Sequence, residues 1–349
     1  MDLELSVEQR EIVELFTTVV ARAGGAANVR EHEELGVDPA LWEQMVAIGA
    51  PGMGVPADAG GGDSALLDLA LATEALGAQL APVPFVEHSV SARLLVRAGA
   101  PDALVGEVVE GTVTATVALR PADGAGRASL VPAGAVAGCV VALDGDELVA
   151  VVTDPPMTAV PNLASAPLAD RAVGTGTGAG TRHVLAQGPD AVAAHEQAAD
   201  EWRALTAAAL VGVGVGALAI GTAYVTEREQ FGVPIGSFQS IQHALADVSV
   251  VLDGAQLLAR KAAWALDEQR DDASTLAASA LLFAAEQAQR ATERVLHFHG
   301  GYGFMQEYDI QLFYRRAKGW PLVLDAPGRE YARLAARRYG PLRAPTLAG

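Results

Sequence analysis

A run of 23 residues without a charge, 204–226, limits the structures that this chain can adopt. About 20 apolar residues can span a bilayer, so a transmembrane helix is one interpretation. The residues are mostly small, however, and Gly212, Gly214, Gly216 and Gly221 contribute no hydrophobic side chain. We therefore expect no membrane span but a helix buried on every face, with glycines that let neighbouring helices approach closely.

Composition excludes several other classes of protein. A net charge of -18 argues against nucleic-acid binding, which needs clustered lysines and arginines against phosphates. Cys139 is the only cysteine, so the chain has neither an intrachain disulfide nor a cysteine-cluster metal site. The N-terminus MDLELSVEQR lacks the basic-then-apolar pattern of a signal peptide, and we expect a cytoplasmic protein.

Residues 1–112 are predicted to form an N-terminal helical domain. Asp38 and Pro39 provide an N-cap and a first-turn proline for one helix. A loop rich in glycine and proline follows, and Asp63-Ser64 is expected to open another helix over 66–80. Proline then ends that helix, because it lacks the backbone donor that a helix interior needs.

Residues 113–198 have a different texture and predict a small, shortened middle β-domain. VTATVAL, GCVVAL and ELVAVVT are short runs rich in β-branched residues, and Asp144-Gly145 predicts a hairpin turn between two of them. The stretch 171–182 is expected to be a loop.

Residues 199–349 are predicted to return to helix and to form a C-terminal four-helix bundle. The expected helices cover about 200–230, 238–269, 273–298 and 306–318. The predicted fold class is therefore α+β and mainly α, with one helical domain on each side of the β-domain.

Three segments carry motifs with consistent order and spacing. The first is LWEQMVAIGAPGMGVPADAGGGDS followed by TEALG, at 41–64 and 73–77. The second is TEREQFGVPIGSFQSIQHALAD at 226–247, and the third is HFHGGYGFMQEYDIQLFYRRAK at 297–318. Together these segments resemble the acyl-CoA dehydrogenase family, through its N-terminal signature, its E-R-x-x-F-G pattern and its G-G-x-G-[FY] loop.

The resemblance implies FAD-dependent α,β-dehydrogenation of an acyl-CoA thioester. In this family, the second and third segments bind the adenosine-diphosphate end of an FAD whose flavin lies mainly in the adjacent subunit. The positions that this implies for a partner's FAD are Arg228, Phe231, Gln239, His297, Gly300 and Gly301. The partner is then a homologous subunit or a second copy of this chain.

The residue types suit these roles. An arginine offers a forked donor set to a pyrophosphate, an aromatic ring can pack on adenine, and glycines let backbone N–H groups approach phosphate oxygens. Each also has an ordinary structural interpretation: Arg228 can pair with neighbouring glutamates, Phe231 can be core, and the glycine loop can be a simple turn. His297 and His299 are two residues apart on a helix end and point in different directions, so we predict no metal site.

The family's catalytic carboxylate is absent from both of its usual positions. These positions correspond to Leu324 and Trp202, and the catalytic residue therefore stays unknown. Glu201 and Asp325 are the candidates nearby, but each is one residue out of register, which rotates a helical side chain by about 100°. The loop and strand that cradle the flavin ring in the family also have no equivalent.

Three hypotheses remain open at this stage. The chain is a subunit that completes the FAD site of a heteromeric acyl-CoA dehydrogenase, as in the short, base-lacking subunits of actinobacterial enzymes. Alternatively, it is a self-sufficient dehydrogenase with a relocated base, or a non-enzymatic scaffold that keeps only the fold. The acyl chain or sterol specificity is not readable from the sequence.

Overall fold

The N-terminal part is helical, as predicted. The computed structural model describes residues 4–154, 157–176 and 180–340. The first six helices are α1 (Val7–Arg22), α2 (Ala26–Glu31), α3 (Pro39–Ala47), α4 (Leu66–Ala78), α5 (Phe85–Arg97) and α6 (Asp102–Val109). The predicted cap of α3 is confirmed, because the Asp38 carboxylate accepts a hydrogen bond from the Ala40 N–H at 2.9 Å and Pro39 is the first helical residue.

Helix α4 starts at Leu66, as predicted, although Asp63 and Ser64 do not cap it and it ends at Ala78 rather than at residue 80. Its first N–H groups are capped from a distant part of the chain. The Asp267 carboxylate accepts hydrogen bonds from the N–H groups of Leu66 and Leu67, at 3.0 and 3.2 Å. Sequence reasoning looks for caps in the neighbouring residues and therefore assigned the opening of α4 to Asp63-Ser64 rather than to Asp267.

The described residues of the middle part form six strands: β1 (Ala115–Val117), β2 (Arg127–Val131), β3 (Cys139–Asp144), β4 (Glu147–Val152), β5 (Ala169–Ala172) and β6 (Thr181–Gln187). A four-stranded sheet has the order β1-β3-β4-β6, with β1 parallel to β3 and the other pairs antiparallel. Strands β2 and β5 make a separate antiparallel pair. The predicted hairpin is confirmed: Asp144 pairs with Glu147, and Gly145 has a φ of 63° in the turn.

The stretch 171–182, predicted as a loop, contains the end of β5 and the start of β6. Its residues 177–179 lie outside the described part of the chain. Strand β6 pairs with β4 alone among the described strands and is only half-buried. Its side chains therefore do not alternate between apolar and polar, and no sequence pattern marks it as a strand.

Up to residue 340, where the described chain ends, the C-terminal part contains five α-helices: α7 (Gly188–Glu227), α8 (Gln239–Asp267), α9 (Ala273–Phe298), α10 (Ile310–Gly319) and α11 (Pro327–Tyr339). Helices α7 to α10 pack as a four-helix bundle, which confirms the predicted fold class. Helix α7 begins about twelve residues earlier than predicted, so the proposed boundary between residues 198 and 199 falls inside it. Helix α11 was not predicted.

Glycines set the crossing of α7 with α4. A Cβ atom at Gly212 would lie 2.1 Å from the Glu74 carbonyl oxygen, and one at Gly77 would lie 2.2 Å from that of Ala209. The backbones touch there, as the glycine pattern predicts. By length and composition α7 could cross a membrane, but 72% of its most apolar window is buried against the rest of the protein. We therefore interpret α7 as a core helix.

Candidate cofactor-binding site

Arg228 follows α7 directly and opens a two-residue hairpin. The hairpin consists of β7 (Glu229–Gln230) and β8 (Val233–Pro234). Both residues of the turn have positive φ, 57° at Phe231 and 80° at Gly232, which is the arrangement of a type I′ turn. Phenylalanine seldom adopts this conformation, since its Cβ crowds the backbone there.

The turn holds the Phe231 ring away from the protein. Its side chain is 93% exposed, and its contact with Phe238 is edge-on at 6.2 Å between ring centroids. Arg228 and Gln239 are also exposed. Exposure of a large aromatic ring to water is unfavourable for an isolated chain. An exposed ring close to an exposed arginine is typical of a surface that another molecule covers.

The glycine turn begins where α9 ends. Gly300 has a φ of 61°, and a Cβ at either Gly300 or Gly301 would meet no atom within 4 Å. A Cβ at Gly303 would instead lie 2.6 Å from the Leu296 carbonyl oxygen. Gly303 therefore serves internal packing, whereas Gly300 and Gly301 leave open space above their backbone.

The two segments lie side by side at one end of the bundle. Tyr224, one helical turn before Arg228, stacks on His299 with 3.8 Å between ring centroids and an interplanar angle of 19°. Farther along the same contact, a Cβ at Gly221 would lie 2.6 Å from Val295. His299 immediately precedes the glycine turn, so this stack brings the turn beside the Arg228 hairpin.

All six residues predicted to bind the cofactor are exposed: Arg228, Phe231, Gln239, His297, Gly300 and Gly301. His299 is buried in its stack, and its Nδ1 lies 2.8 Å from the Val295 carbonyl oxygen. Among residues 4–154, 157–176 and 180–340, no group of three or more histidine, cysteine or acidic side chains could hold a metal ion.

The two base candidates are both held by arginines. Glu201 is 1% exposed, and its carboxylate oxygens lie 3.2 Å from Arg93 and 2.5 Å from Arg97. The Asp325 carboxylate lies 2.8 Å from Arg333 and 3.5 Å from Arg329. An ion-paired carboxylate favours its charged form and is a weak proton acceptor.

The pKa of Asp325 reflects two opposing effects, burial and ion pairing. Burial alone would raise it, but the Ala326 N–H and the guanidinium groups of Arg333 and Arg329 together hold the pKa below its ordinary value. The usual base positions carry no carboxylate: Trp202 and Leu324 are both buried. The geometry thus gives no support to a base at any of these four positions.

We predict that Glu201→Gln lowers the free energy of unfolding by about 3 kcal/mol, because it leaves the charges of Arg93 and Arg97 poorly compensated at a buried site. Urea unfolding of the purified protein measures this loss. Glu196→Gln, on the exposed side of α7, is the matched control and should change little. If Glu201→Gln keeps wild-type stability but loses acyl-CoA oxidation, Glu201 is a base after all.

A cavity that the sequence did not predict adjoins both usual base positions. Its volume is about 110 Å³, and Trp202 lines it together with Val323, the neighbour of Leu324. Glu87 from α5 also reaches its wall. Glu87 lies in the first turn of α5, where an acidic residue commonly interacts with the helix dipole, so no sequence signal marked it.

Comparisons with known proteins identify the family. A family described as "Acyl-CoA dehydrogenase, N-terminal domain" matches residues 6–103, and "Acyl-CoA dehydrogenase, C-terminal domain" matches residues 192–322. The acyl-CoA dehydrogenase IpdE2 of Mycolicibacterium smegmatis is 31% identical over 94% of this chain and 98% of its own length. The chain belongs to the acyl-CoA dehydrogenase family.

Two solved structures resemble this chain along nearly its whole length. The ChsE4-ChsE5 complex from Mycobacterium tuberculosis includes a chain that is 25% identical, with a TM-score of 0.85 over 99% of this chain and 100% of that one. The Tcur3481-Tcur3483 steroid ACAD G363A variant is 27% identical, with a TM-score of 0.82 over 95% and 97%. This protein is therefore a member of an oxidoreductase family that acts on CH–CH bonds, and it is similar to subunits of multi-chain assemblies.

Proposed function

We propose that this chain is the partner subunit that completes the FAD site of a heteromeric acyl-CoA dehydrogenase. The complex would catalyse the α,β-dehydrogenation of an acyl-CoA thioester in the cytoplasm. The observation that carries this proposal is the exposed surface formed by the Arg228 hairpin and the adjacent glycine turn. The likeness of this chain to chains of the ChsE4-ChsE5 complex and of the Tcur3481-Tcur3483 steroid ACAD supports it.

The residues on this surface fit the adenosine-diphosphate end of FAD. The Arg228 guanidinium can form two parallel hydrogen bonds to the pyrophosphate, and the Phe231 ring offers a face for adenine. Gln239, at the first turn of α8, can hydrogen-bond the adenine edge or the ribose. Gly300 and Gly301 let backbone N–H groups reach phosphate oxygens, since no side chain fills the space above them.

Under this proposal, the chain does not form a complete active site by itself. Proton abstraction from the acyl α-carbon needs a desolvated carboxylate, and the nearby candidates Glu201 and Asp325 are ion-paired. When bound, the flavin would accept the hydride from the β-carbon. The proposed division of labour is that the homologous subunit supplies the base while this chain holds the adenine end of the cofactor.

Purification with and without a homologous acyl-CoA dehydrogenase subunit from the same genome tests the proposal. We expect the chain alone to be colourless, and the co-expressed pair to carry flavin and to have the native mass of a mixed oligomer. A self-sufficient enzyme would behave differently: the chain alone would be yellow, would bleach with an acyl-CoA thioester and would assemble with itself.

A further inference from the structure

The cavity beside Trp202 lies where three parts of the protein meet. Helices α4 and α5 form one wall, Trp202 and Thr206 of α7 another, and the segments around Pro132 and Ala166 of the middle domain a third. Most of the lining is apolar. The few polar groups therefore decide which ligands the cavity can accept, because a buried polar group without a partner is costly.

Glu87 places a carboxyl group in this apolar wall without a cation beside it. Burial raises the pKa of Glu87, opposed by its own backbone N–H and by the nearby Trp202 indole, and no arginine or lysine contributes. A carboxyl group in such surroundings is pushed toward its neutral form, in which it can both donate and accept a hydrogen bond.

Trp202 is 2% exposed, and its indole N–H has no hydrogen-bond partner. The indole N–H is directed at the Glu87 carboxyl and lowers its pKa as a hydrogen bond would, but the contact falls short of full hydrogen-bonding geometry. Native proteins satisfy the large majority of buried donors, so this N–H indicates a missing acceptor.

Three other polar side chains at the wall already have partners within the protein. The Thr73 hydroxyl donates to the Leu69 carbonyl oxygen at 2.7 Å, and the Ser165 hydroxyl donates to Glu33 at 3.3 Å. The Arg316 guanidinium lies 3.4 Å from Glu33. Glu87 and Trp202 are adjacent at this wall, and the Trp202 N–H is a buried donor that a ligand can complete.

We propose that this cavity is a ligand site in its own right, and that Glu87 and Trp202 select a small, uncharged hydrocarbon group bearing a keto or hydroxyl oxygen. A keto oxygen accepts from the indole N–H and, where Glu87 is protonated, from the carboxyl as well. A hydroxyl accepts from the indole and donates to the carboxyl. A plain hydrocarbon leaves both groups unpaired. The site needs neither the base nor the flavin, so it goes beyond the proposed function.

Calorimetric titration of the purified protein with matched ligands tests this. The probes are 4-oxopentanoyl-CoA, pentanoyl-CoA and the free ketone 2-pentanone. We expect the oxo-thioester to bind at least tenfold more tightly than pentanoyl-CoA. Tight binding of the free ketone would assign the site to free ligands, and binding of the oxo-thioester alone would assign it to acyl-CoA; both results support the site.

Four variants show which side chains cause the preference for the oxo-thioester. Glu87→Leu and Trp202→Phe should each bring the oxo-to-parent affinity ratio close to one, because each removes one hydrogen-bonding group while keeping similar bulk. Glu87→Gln still donates and accepts, and should keep most of the preference. Thr73→Val is the control, because the Thr73 hydroxyl is already used by Leu69.

Three results would overturn the inference: no binding of any probe, equal affinity of the wild type for both thioesters, or an unchanged ratio in both Glu87→Leu and Trp202→Phe. None of these results bears on the flavin content of the mixed oligomer, so the proposed function is judged separately.

Discussion

Gly212→Ala is expected to destabilise the protein by about 3 kcal/mol or more. The added Cβ would lie 2.1 Å from the Glu74 carbonyl oxygen and 2.7 Å from the Ala78 backbone nitrogen. Both atoms are backbone, so no side chain can turn aside, and α7 must separate from α4 along their contact. The midpoint of urea unfolding reports the loss.

Gly106→Ala is the matched control for this prediction. Gly106 also lies inside a helix, α6, but a Cβ there would meet nothing within 4 Å. Alanine has the better helix propensity, so this substitution should stabilise the protein slightly, by about 0.5–1 kcal/mol. Similar unfolding midpoints for the two variants would show that α4 and α7 are not in backbone contact.

His88 alone is expected to lower the free energy of unfolding of the wild type by about 3 kcal/mol as the pH drops from 6.5 to 4. His88 is 0% exposed; its Nε2 lies 3.0 Å from the Val108 carbonyl oxygen, and its Nδ1 accepts from the Ala115 N–H at 3.1 Å. Burial lowers the pKa of His88 from 6.5 to about 4, although the bond to Val108 opposes the shift.

The sign follows from proton binding. Between pH 6.5 and 4 the unfolded chain protonates this histidine, but the folded protein does not, so acid favours unfolding. A proton on Nδ1 would also remove the acceptor of the Ala115 N–H, which joins α5 to the first strand of the middle domain. Burial also lowers the pKa of His195, which adds to the loss of stability in acid, whereas burial raises the pKa of Glu87, which opposes that loss. The contribution of His88 is therefore measured by comparing variants.

Urea unfolding at pH values between 4 and 7 makes that comparison. His88→Gln should show a smaller loss of stability on acidification than the wild type. His243→Gln, at an exposed position on α8, should keep the wild-type dependence. An identical pH dependence in all three proteins would contradict the neutral, buried state of His88.

Local signals in the sequence predicted most helices. The features that they did not predict depend on contacts between residues that are far apart in sequence. The bounds of α9 were predicted as observed, because its apolar residues recur at helical spacing. Helix α11 was missed because ion pairs hold it: Glu330 lies 3.1 Å from Arg203 on α7. A carboxylate that is far away in sequence gives no local pattern, and the same holds for Asp267 at the start of α4.

The candidate site was predictable in part for a similar reason. Family motifs singled out Arg228, Phe231 and the glycine turn, which lie on adjacent exposed elements, and their cofactor roles remain predictions. The stack of Tyr224 on His299 that joins these elements depends on how α7 and α9 pack. The Glu87–Trp202 pair went unnoticed because its two members are far apart in sequence and meet only in the folded cavity.

The flavin content of the mixed oligomer carrying Arg228→Ala tests the central proposal most directly. A charge-assisted contact to the pyrophosphate contributes about 1.5–3 kcal/mol, so we predict that FAD affinity falls tenfold or more while the native mass stays unchanged. Arg22→Ala, an exposed arginine at the end of α1, should retain full flavin content. An Arg228→Ala complex that keeps wild-type flavin affinity would contradict a cofactor site on this surface.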